Sequence, residues 1–566
     1  MRSSSPKTVE DIRTTGAVYT PPKVAAAIVE SLGGLGLPSG LKILEPSVGD
    51  GAFLREMRRR WVGDHYTLVD INETVIRRLR RKEKSEGAGN VSLRAMDFLS
   101  LAASLIRDGR ETFDVIIGNP PFIRSRNFTA KLKSSMAAVA QALDYPRPQL
   151  KNTWAAFLAS GARLLSPQGV MAFVLPYELI TVAYGQEALR RLVPQFRRID
   201  IYVSREKAFP EIDQDAIVLI AQKGGGTEPG VYMNRVATLS DLTSGESQRL
   251  DLSKGADSAV ELNAYLLEAD TVSLLKRLRR SCDRLDVYAG SAPGVVSAAN
   301  EFFILRKEEV ARLGFADWVL PILKKGSLAS HKPQFTSSDF EALASRDPVY
   351  LLRIRGERED LPPDVIAYLE FGEKQGFDQR YKCRNRPRWY EVPIVPKETA
   401  FVFKRAHSYP RLCLNEADVY LTDTAYGLRI REGYSARGLS FSFYTTLTMA
   451  FAEMDGRFYG GGVLELSPNE FRGLPIVYHE PSDAEYEAFL KVHEDAQGDA
   501  GPILDFGDRW LAPRLGLNPD GMKKLRRAWL ALRAHRLRHS GGPQDATLSH
   551  EAVPSLDNAS GRRALG

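Results

Sequence analysis

Cysteine is scarce, with 3 residues in a chain of 566, at Cys282, Cys383 and Cys413. No two form a CxxC pair, which excludes a disulfide framework and points to a reducing, cytoplasmic compartment. No metal site is expected. Long apolar runs are missing too. The most apolar stretch, Val170 to Leu175, is followed by Pro176 and Glu178, far short of the roughly 20 residues a membrane helix needs. The opening residues Met1 to Lys7 lack an apolar segment, so no signal peptide is expected. A GxGxxG dinucleotide fingerprint is absent from the first strand–helix turn. Excess charge is small: 77 Lys and Arg against 70 Asp and Glu leave +7. Seven basic residues between Met522 and His539, with no acid among them, equal that whole excess. A local basic face suits a polyanion better than diffuse charge does.

What is present is globular. Hydrophobic residues make up 43% and charged residues 26%, which excludes collagen-like and wholly disordered chains. At roughly 150 residues per domain the length suits three or four domains. Over the first 225 residues short apolar runs (41–44, 66–69, 91–94, 113–117, 169–175, 199–203, 216–221) alternate with helical patterns (52–60, 73–84, 153–165, 185–193). That alternation predicts parallel βαβ units in a doubly wound α/β sheet. Gly224-Gly-Gly226 reads as a linker. Residues 226–480 mix short strands and aromatics and predict an α+β domain. Residues 481–540 read as a helical basic region, and 541–566, rich in Gly, Ser, Pro and Ala, as a disordered tail.

Three acids fall at successive strand ends. Glu45 closes the first strand and opens Glu45-Pro46-Ser47-Val48-Gly49-Asp-Gly51, whose glycines let a ligand approach the backbone. Asp70 ends the second strand, where a ribose hydroxyl acceptor belongs. Asp97-Phe98 follows the third, an acid and a ring suited to the amino group and face of adenine. After the fourth strand comes Asn119-Pro120-Pro121-Phe122. The prolines fix the backbone and aim the Pro120 carbonyl beside the Asn119 side-chain carbonyl, while Phe122 offers a flat face. Two acceptors aimed at one NH2 group draw its nitrogen towards tetrahedral geometry and localise its lone pair, an effect felt on the way to the transition state.

With these motifs in this order, the chain resembles the gamma-class, TaqI-like DNA adenine-specific amino-methyltransferases of restriction–modification systems. Thr15-Gly-Ala-Val-Tyr-Thr-Pro-Pro22, the Glu45 loop, Asp70, Asp97-Phe98, Asn119–Phe122, Asn152–Leu158, Leu164–Pro176 and Phe209-Pro carry the resemblance, over residues 13 to 223. Many relatives have Glu at Asp70 and Tyr at Phe122. The resemblance implies a Rossmann-like class I methyltransferase domain over 1–225 and a target-recognition domain over 226–480. It implies S-adenosylmethionine as cofactor, held by Thr20, Glu45, Pro46, Ser47, Val48, Gly49, Asp70, Asp97 and Phe98. Asn119, Pro120, Pro121 and Phe122 would be catalytic, with Phe209 a second wall for the flipped base. Double-stranded DNA is the implied partner, beside a separately encoded restriction endonuclease and with the chain itself a monomer.

The second half resembles the family more weakly, at Val287–Phe302, Tyr381–Tyr390 and Tyr459–Leu466. Arg384, Arg386 and Arg388, interleaved with Tyr381, Trp389 and Tyr390, are candidates for reading bases. Lys523, Lys524, Arg526 and Arg527 are candidates for gripping phosphates. Methylation of RNA or of a protein amide, and a recognition subunit of a larger defence complex, remain as alternatives.

Overall fold

A computed structural model describes residues 19–61, 64–86, 90–109, 111–145, 150–206, 209, 215–225, 228–250, 266–326, 329, 331–459 and 462–538. The expected tail 541–566 and residues 15–18 of the first motif lie outside them.

The first half is one nine-stranded sheet with helices on both faces. Its elements are α1 (Pro22–Gly33), β1 (Lys42–Glu45), α2 (Ala52–Arg60), β2 (His65–Asp70), α3 (Glu73–Glu86), β3 (Val91–Ala95), α4 (Phe98–Asp108), β4 (Phe113–Gly118), α5 (Ala130–Ala142), α6 (Thr153–Leu164), β5 (Leu165–Pro176), α7 (Glu178–Thr181), α8 (Ala183–Leu192), β6 (Arg198–Ser204), β7 (Ala216–Gln222), β8 (Gly230–Val236) and β9 (Gly245–Leu250). The strand order is β3-β2-β1-β4-β5-β7-β6-β8-β9. Strands β1 to β5 are mutually parallel, whereas β7 runs antiparallel to both β5 and β6.

The period-2 geometry of a strand explains why the central strands are apolar throughout. Met171, Phe173 and Leu175 of β5, with Ile217, Leu219 and Ala221 of β7, enter the core under α4, α6 and α8. Val170, Ala172, Val174, Ala216, Val218 and Ile220 enter the opposite core, under α1 and α2.

Two expectations need correction. The sheet does not stop at the glycines. Gly224 and Gly225 lie in the connection from β7 to β8, with Gly225 at φ +103°, and β8 and β9 extend the same sheet to Leu250. The helical region after 480 is not separate either. Helices α11 (Asp483–Ala496), α12 (Ala500–Arg514) and α13 (Pro519–Leu537) share one core with α9 (Ala269–Ser281) and α10 (Thr446–Asp455). Leu525, Ala528, Trp529 and Leu532 form the buried stripe of α13, at the 3–4 spacing that seats a helix on its neighbours. The rest of the second half holds a five-stranded and a four-stranded sheet among smaller pairings, as the α+β expectation requires. No helix of the described residues is long and apolar enough to cross a membrane.

Candidate active site and DNA-facing surface

The strand order reverses between β1 and β4, and ligands of such sheets bind in the crevice outside the strand ends at that point. Glu45 ends β1 and Gly118 ends β4, so both singled-out loops leave the sheet there. They touch. The Ser47 hydroxyl donates to the Asn119 backbone carbonyl at 2.9 Å. A Cβ on Gly118 would stand 3.3 Å from Pro46 Cδ, so glycine lets the two loops close on each other.

The first loop is held by the end of the neighbouring strand β2. Val48 N–H donates to the Val69 carbonyl at 3.0 Å, and Gly49 N–H to Asp70 Oδ2 at 2.9 Å. Gly49 and Gly51 sit at φ +53° and +81°, in the left-handed region that favours glycine. Tyr19, which the sequence did not single out, overlies the loop: its ring stands 3.4 Å from where a Gly49 Cβ would be. Thr20 is buried beside it.

Glu45 is the anomaly. It is 1% exposed, and neither carboxylate oxygen has a hydrogen-bond partner among the described residues. Burial, then the charges of Asp50 and Asp70, push its carboxyl well above the usual range, opposed by Arg55. A buried carboxylate left unsatisfied is costly, and its place at the switch point suits a cationic or NH-bearing ligand group.

The other two acids carry structural duties. Asp70 accepts from Gly49 N–H and from Asn72 N–H at 2.8 Å. Asp97 is the N-cap of α4, accepting from Leu99 and Ser100 N–H and from the Ser100 hydroxyl. The expectation that Phe98 presents its ring to a ligand needs correction. It opens α4 with its side chain inward, 2% exposed and 4.8 Å from the Phe157 ring centroid.

The Asn119–Phe122 loop is clamped from behind by Thr153, the first residue of α6. Its hydroxyl donates to the Pro121 carbonyl and accepts from Ile123 N–H at 3.0 Å. Its own N–H donates to the Ile123 carbonyl at 3.0 Å. No hydrogen bond to the Pro120 carbonyl occurs among the described residues. Phe122 is half-buried at the margin of the α4–α6 core. Phe209 is 6% exposed and packs in the core on the other face of the sheet. Beyond Phe122, Arg124 pairs with Glu178 Oε1 at 2.5 Å, and Tyr184 donates to the other oxygen.

The structure redistributes the basic candidates. Arg386 donates to the Val296 and Ser297 carbonyls at 2.8 Å, and burial lowers its pKa. Arg388 pairs with Glu357 and Glu391. Neither is a free base reader; both tie loops of their own domain. Arg384 stays exposed, over the Tyr381 ring at 5.7 Å. On α13, Lys524 pairs with Asp270 and Asp520, and Arg526 with Asp505 and Asp508. Arg536 forms a buried two-pronged pair with Glu453. Only Lys523 and Arg527 of the four proposed phosphate contacts are exposed. Besides Asp520 in its own first turn, the acids that neutralise this helix come from α9, α10 and α12, outside any local stretch of sequence.

A second basic group emerges instead. A cavity of about 750 Å³ in the second half is lined by Lys325, His331, Lys404, Arg405, His407 and Arg411, against the acids Asp423 and Glu465. Arg405 pairs with Glu465 at 2.6 Å. Burial pushes the Lys404 ammonium below the usual lysine value. The segments that meet here run from Lys325 to Gly498, so no window of sequence displays them. No cluster of three metal-ligating side chains occurs among the described residues.

A doubly wound sheet with two loops closed on each other at its switch point is thus joined to a large second half of mixed α and β structure. Family comparison makes this more specific. Residues 62–209 match the Eco57I restriction-modification methylase family, and residues 260–509 match the C-terminal domain of the type II methyltransferase M.Eco57I. Both halves are thus related to type II restriction–modification methyltransferases. Type II methyltransferase M.AccI of Acinetobacter calcoaceticus is 21% identical over 471 residues, 80% of this chain and 83% of that one. M.PaeR7I of Pseudomonas aeruginosa is 26% identical over 336 residues, 52% of this chain and 57% of that one. M.TthHB8I of Thermus thermophilus is 29% identical over 231 residues, 38% and 46% of the two chains. The type IIL restriction-modification enzyme MmeI, solved in complex with DNA, shares the fold over 95% of this chain and 78% of its own, with a TM-score of 0.53 at 11% identity.

Proposed function

We propose that the chain transfers a methyl group from S-adenosylmethionine to the exocyclic amino group of adenine within a short duplex DNA sequence, as the modification enzyme of a restriction–modification system. The observation that carries this is the closure of the Glu45–Gly51 loop onto the Asn119–Phe122 loop through Ser47. It brings a candidate cofactor loop and a pair of amine acceptors into one crevice. S-adenosylmethionine supplies an electrophilic methyl group. The orphaned carboxylate of Glu45 fits its positively charged methionine end, and Gly49 and Gly51 leave the backbone open to it.

The chain's residues then act on the amine. The Asn119 side-chain carbonyl and the Pro120 carbonyl accept its two N–H groups and localise its lone pair, and Thr153 holds the loop that aims them. No strong base is needed, because an alkylated amine sheds its proton readily. The half-buried Phe122 ring provides a stacking face for a base drawn out of the duplex, whose unstacking costs on the order of a few kcal/mol. The basic cavity around Lys404 and Arg411, with Arg384, Lys523 and Arg527, offers the DNA backbone its counter-charges.

The test is random-sequence duplex DNA incubated with methyl-labelled cofactor and mapped for modified bases. Label on the N6 position of adenine in one short sequence is the expected result. Label on cytosine, or no label on the DNA, overturns the proposal. Asn119→Ala should lower transfer on the order of 10²–10³-fold with cofactor affinity nearly intact.

A further inference from the structure

The end of α13 does not face outward. It closes on the catalytic half. The Tyr177 hydroxyl lies 2.8 Å from His535 Nε2. The Tyr177 ring centroid stands 5.1 Å from that of Phe458 and 5.6 Å from that of His535. The Arg538 guanidinium sits 5.5 Å from the Tyr177 ring and 5.8 Å from the Phe458 ring. It also forms an ion pair with Asp215, whose side chain is 14% exposed against 10% for Arg538. Tyr177 N–H donates to the Asp215 carbonyl at 3.0 Å. Five side chains from four segments, two in the catalytic half and two in the second, thus form one closed cluster.

Its position is what gives it meaning. Tyr177 directly follows β5, and the next residue, Glu178, holds Arg124, two residues beyond Phe122. Asp215 directly precedes β7. The cluster therefore grips the catalytic half at the ends of two adjacent strands, one residue from the ion pair that braces the catalytic loop. A surface latch between halves would not need to meet there.

We propose that Tyr177, Asp215, Phe458, His535 and Arg538 are positioning residues that set the orientation of the second half against the Asn119–Phe122 loop, so that a base delivered by one half reaches the acceptors of the other. This rests on the methyltransferase function proposed above. An exposed surface ion pair contributes little. This one is largely shielded from water and ringed by aromatics, where a charge that loses its partner is penalised.

The test uses the full chain with Arg538→Glu, Asp215→Arg and the two together. Each single variant should keep its S-adenosylmethionine affinity by calorimetry and its DNA affinity in gel shift. Each should lose on the order of tenfold in the single-turnover transfer rate at saturating DNA, the size of coupling usual between contacting groups. The double variant, which restores the pair with reversed sign, should regain most of that rate. Tyr177→Phe, which removes one hydroxyl and preserves the ring, should show a smaller loss of the same kind and guards against misfolding of the charge variants. Wild-type rates in the single variants, a loss that follows DNA affinity instead of rate, or a double variant no better than the singles overturns the proposal. The unaltered chain measured alongside separates the two ideas: no transfer from it overturns the methyltransferase function and the positioning role together, whereas full rates in the variants overturn the positioning role alone.

Discussion

Replacing Glu45 with Gln should make the ligand-free protein more stable and its cofactor complex weaker. The carboxyl is 1% exposed, without a hydrogen-bond partner among the described residues, and flanked by Asp50 and Asp70. Its folded pKa lies well above the 4.5 of an ordinary glutamate. Below pH 4.5 both folded and unfolded chains hold the proton, and the group costs nothing. Above 4.5 the unfolded chain ionises first, so stability falls by about 1.4 kcal/mol for each pH unit until the folded group ionises too. Gln cannot ionise, so that loss disappears. The amide is still buried, at a cost of about 1–3 kcal/mol for an unsatisfied polar group, and this offsets part of the gain. For a domain of this size each kcal/mol moves the melting temperature by roughly 2–4 °C. The binding effect has the opposite sign. A charge-assisted hydrogen bond contributes about 1.5–3 kcal/mol, so S-adenosylmethionine should bind about 10- to 150-fold more weakly. Thermal melts from pH 5 to 8, with and without cofactor, read both effects at once. A Gln variant less stable than wild type at pH 7.5, or one that cofactor stabilises as much as it stabilises wild type, refutes the reasoning.

Three further outcomes follow from the second half. His493 is 1% exposed between Tyr444 and Phe489, with ring centroids 4.5 Å away on each side, and burial pushes its pKa down from 6.5 to about 3. The folded ring resists a proton that the unfolded chain accepts. Its contribution is intact above pH 6.5 and lost as pH falls towards 3, by about 2 kcal/mol at pH 5; denaturant melts of His493→Leu should lack that part of the acid sensitivity. Arg526, tied to Thr446, Asp505 and the Gly501 carbonyl, should cost about 1–3 kcal/mol of stability on change to Ala. Lys523→Ala with Arg527→Ala should leave urea melts unchanged and flatten the salt dependence of DNA binding by about one unit of slope per residue.

How much of this was legible depended on distance along the chain. The first seven strands of the first sheet sit within a few positions of where the apolar runs fall, because a central strand buried on both faces is apolar at nearly every position, and that signal is local. The two loops were legible for a similar reason, since Glu45–Gly51 and Asn119–Phe122 are each contiguous. Three misplacements share one cause. The glycines at 224–226 read as a linker because glycine marks a turn without saying whether the next strand rejoins the sheet. Phe98 read as a ligand face because an aromatic after a strand end can also be the first inward residue of a helix. Arg386, Arg388 and the cations of α13 read as DNA contacts because most of the groups they pair with lie far along the chain, up to 254 positions away at Asp270 for Lys524.

The sequence by itself determined the doubly wound sheet, the order of its motifs and the chemistry those motifs can support, because backbone propensity, alternation and loop composition act within about ten residues. Only the tertiary structure decided which polar groups were left to act. Folding uses Asp97 as a cap, Arg386 as a loop tie and Arg536 as a buried ion, and leaves Glu45 at the strand ends without a hydrogen-bond partner among the described residues. It also brought six basic side chains from 325 to 411 around one cavity and set the end of α13 against Tyr177. Desolvation and pairing are properties of who is near whom in space, and no residue carries that information in its own type.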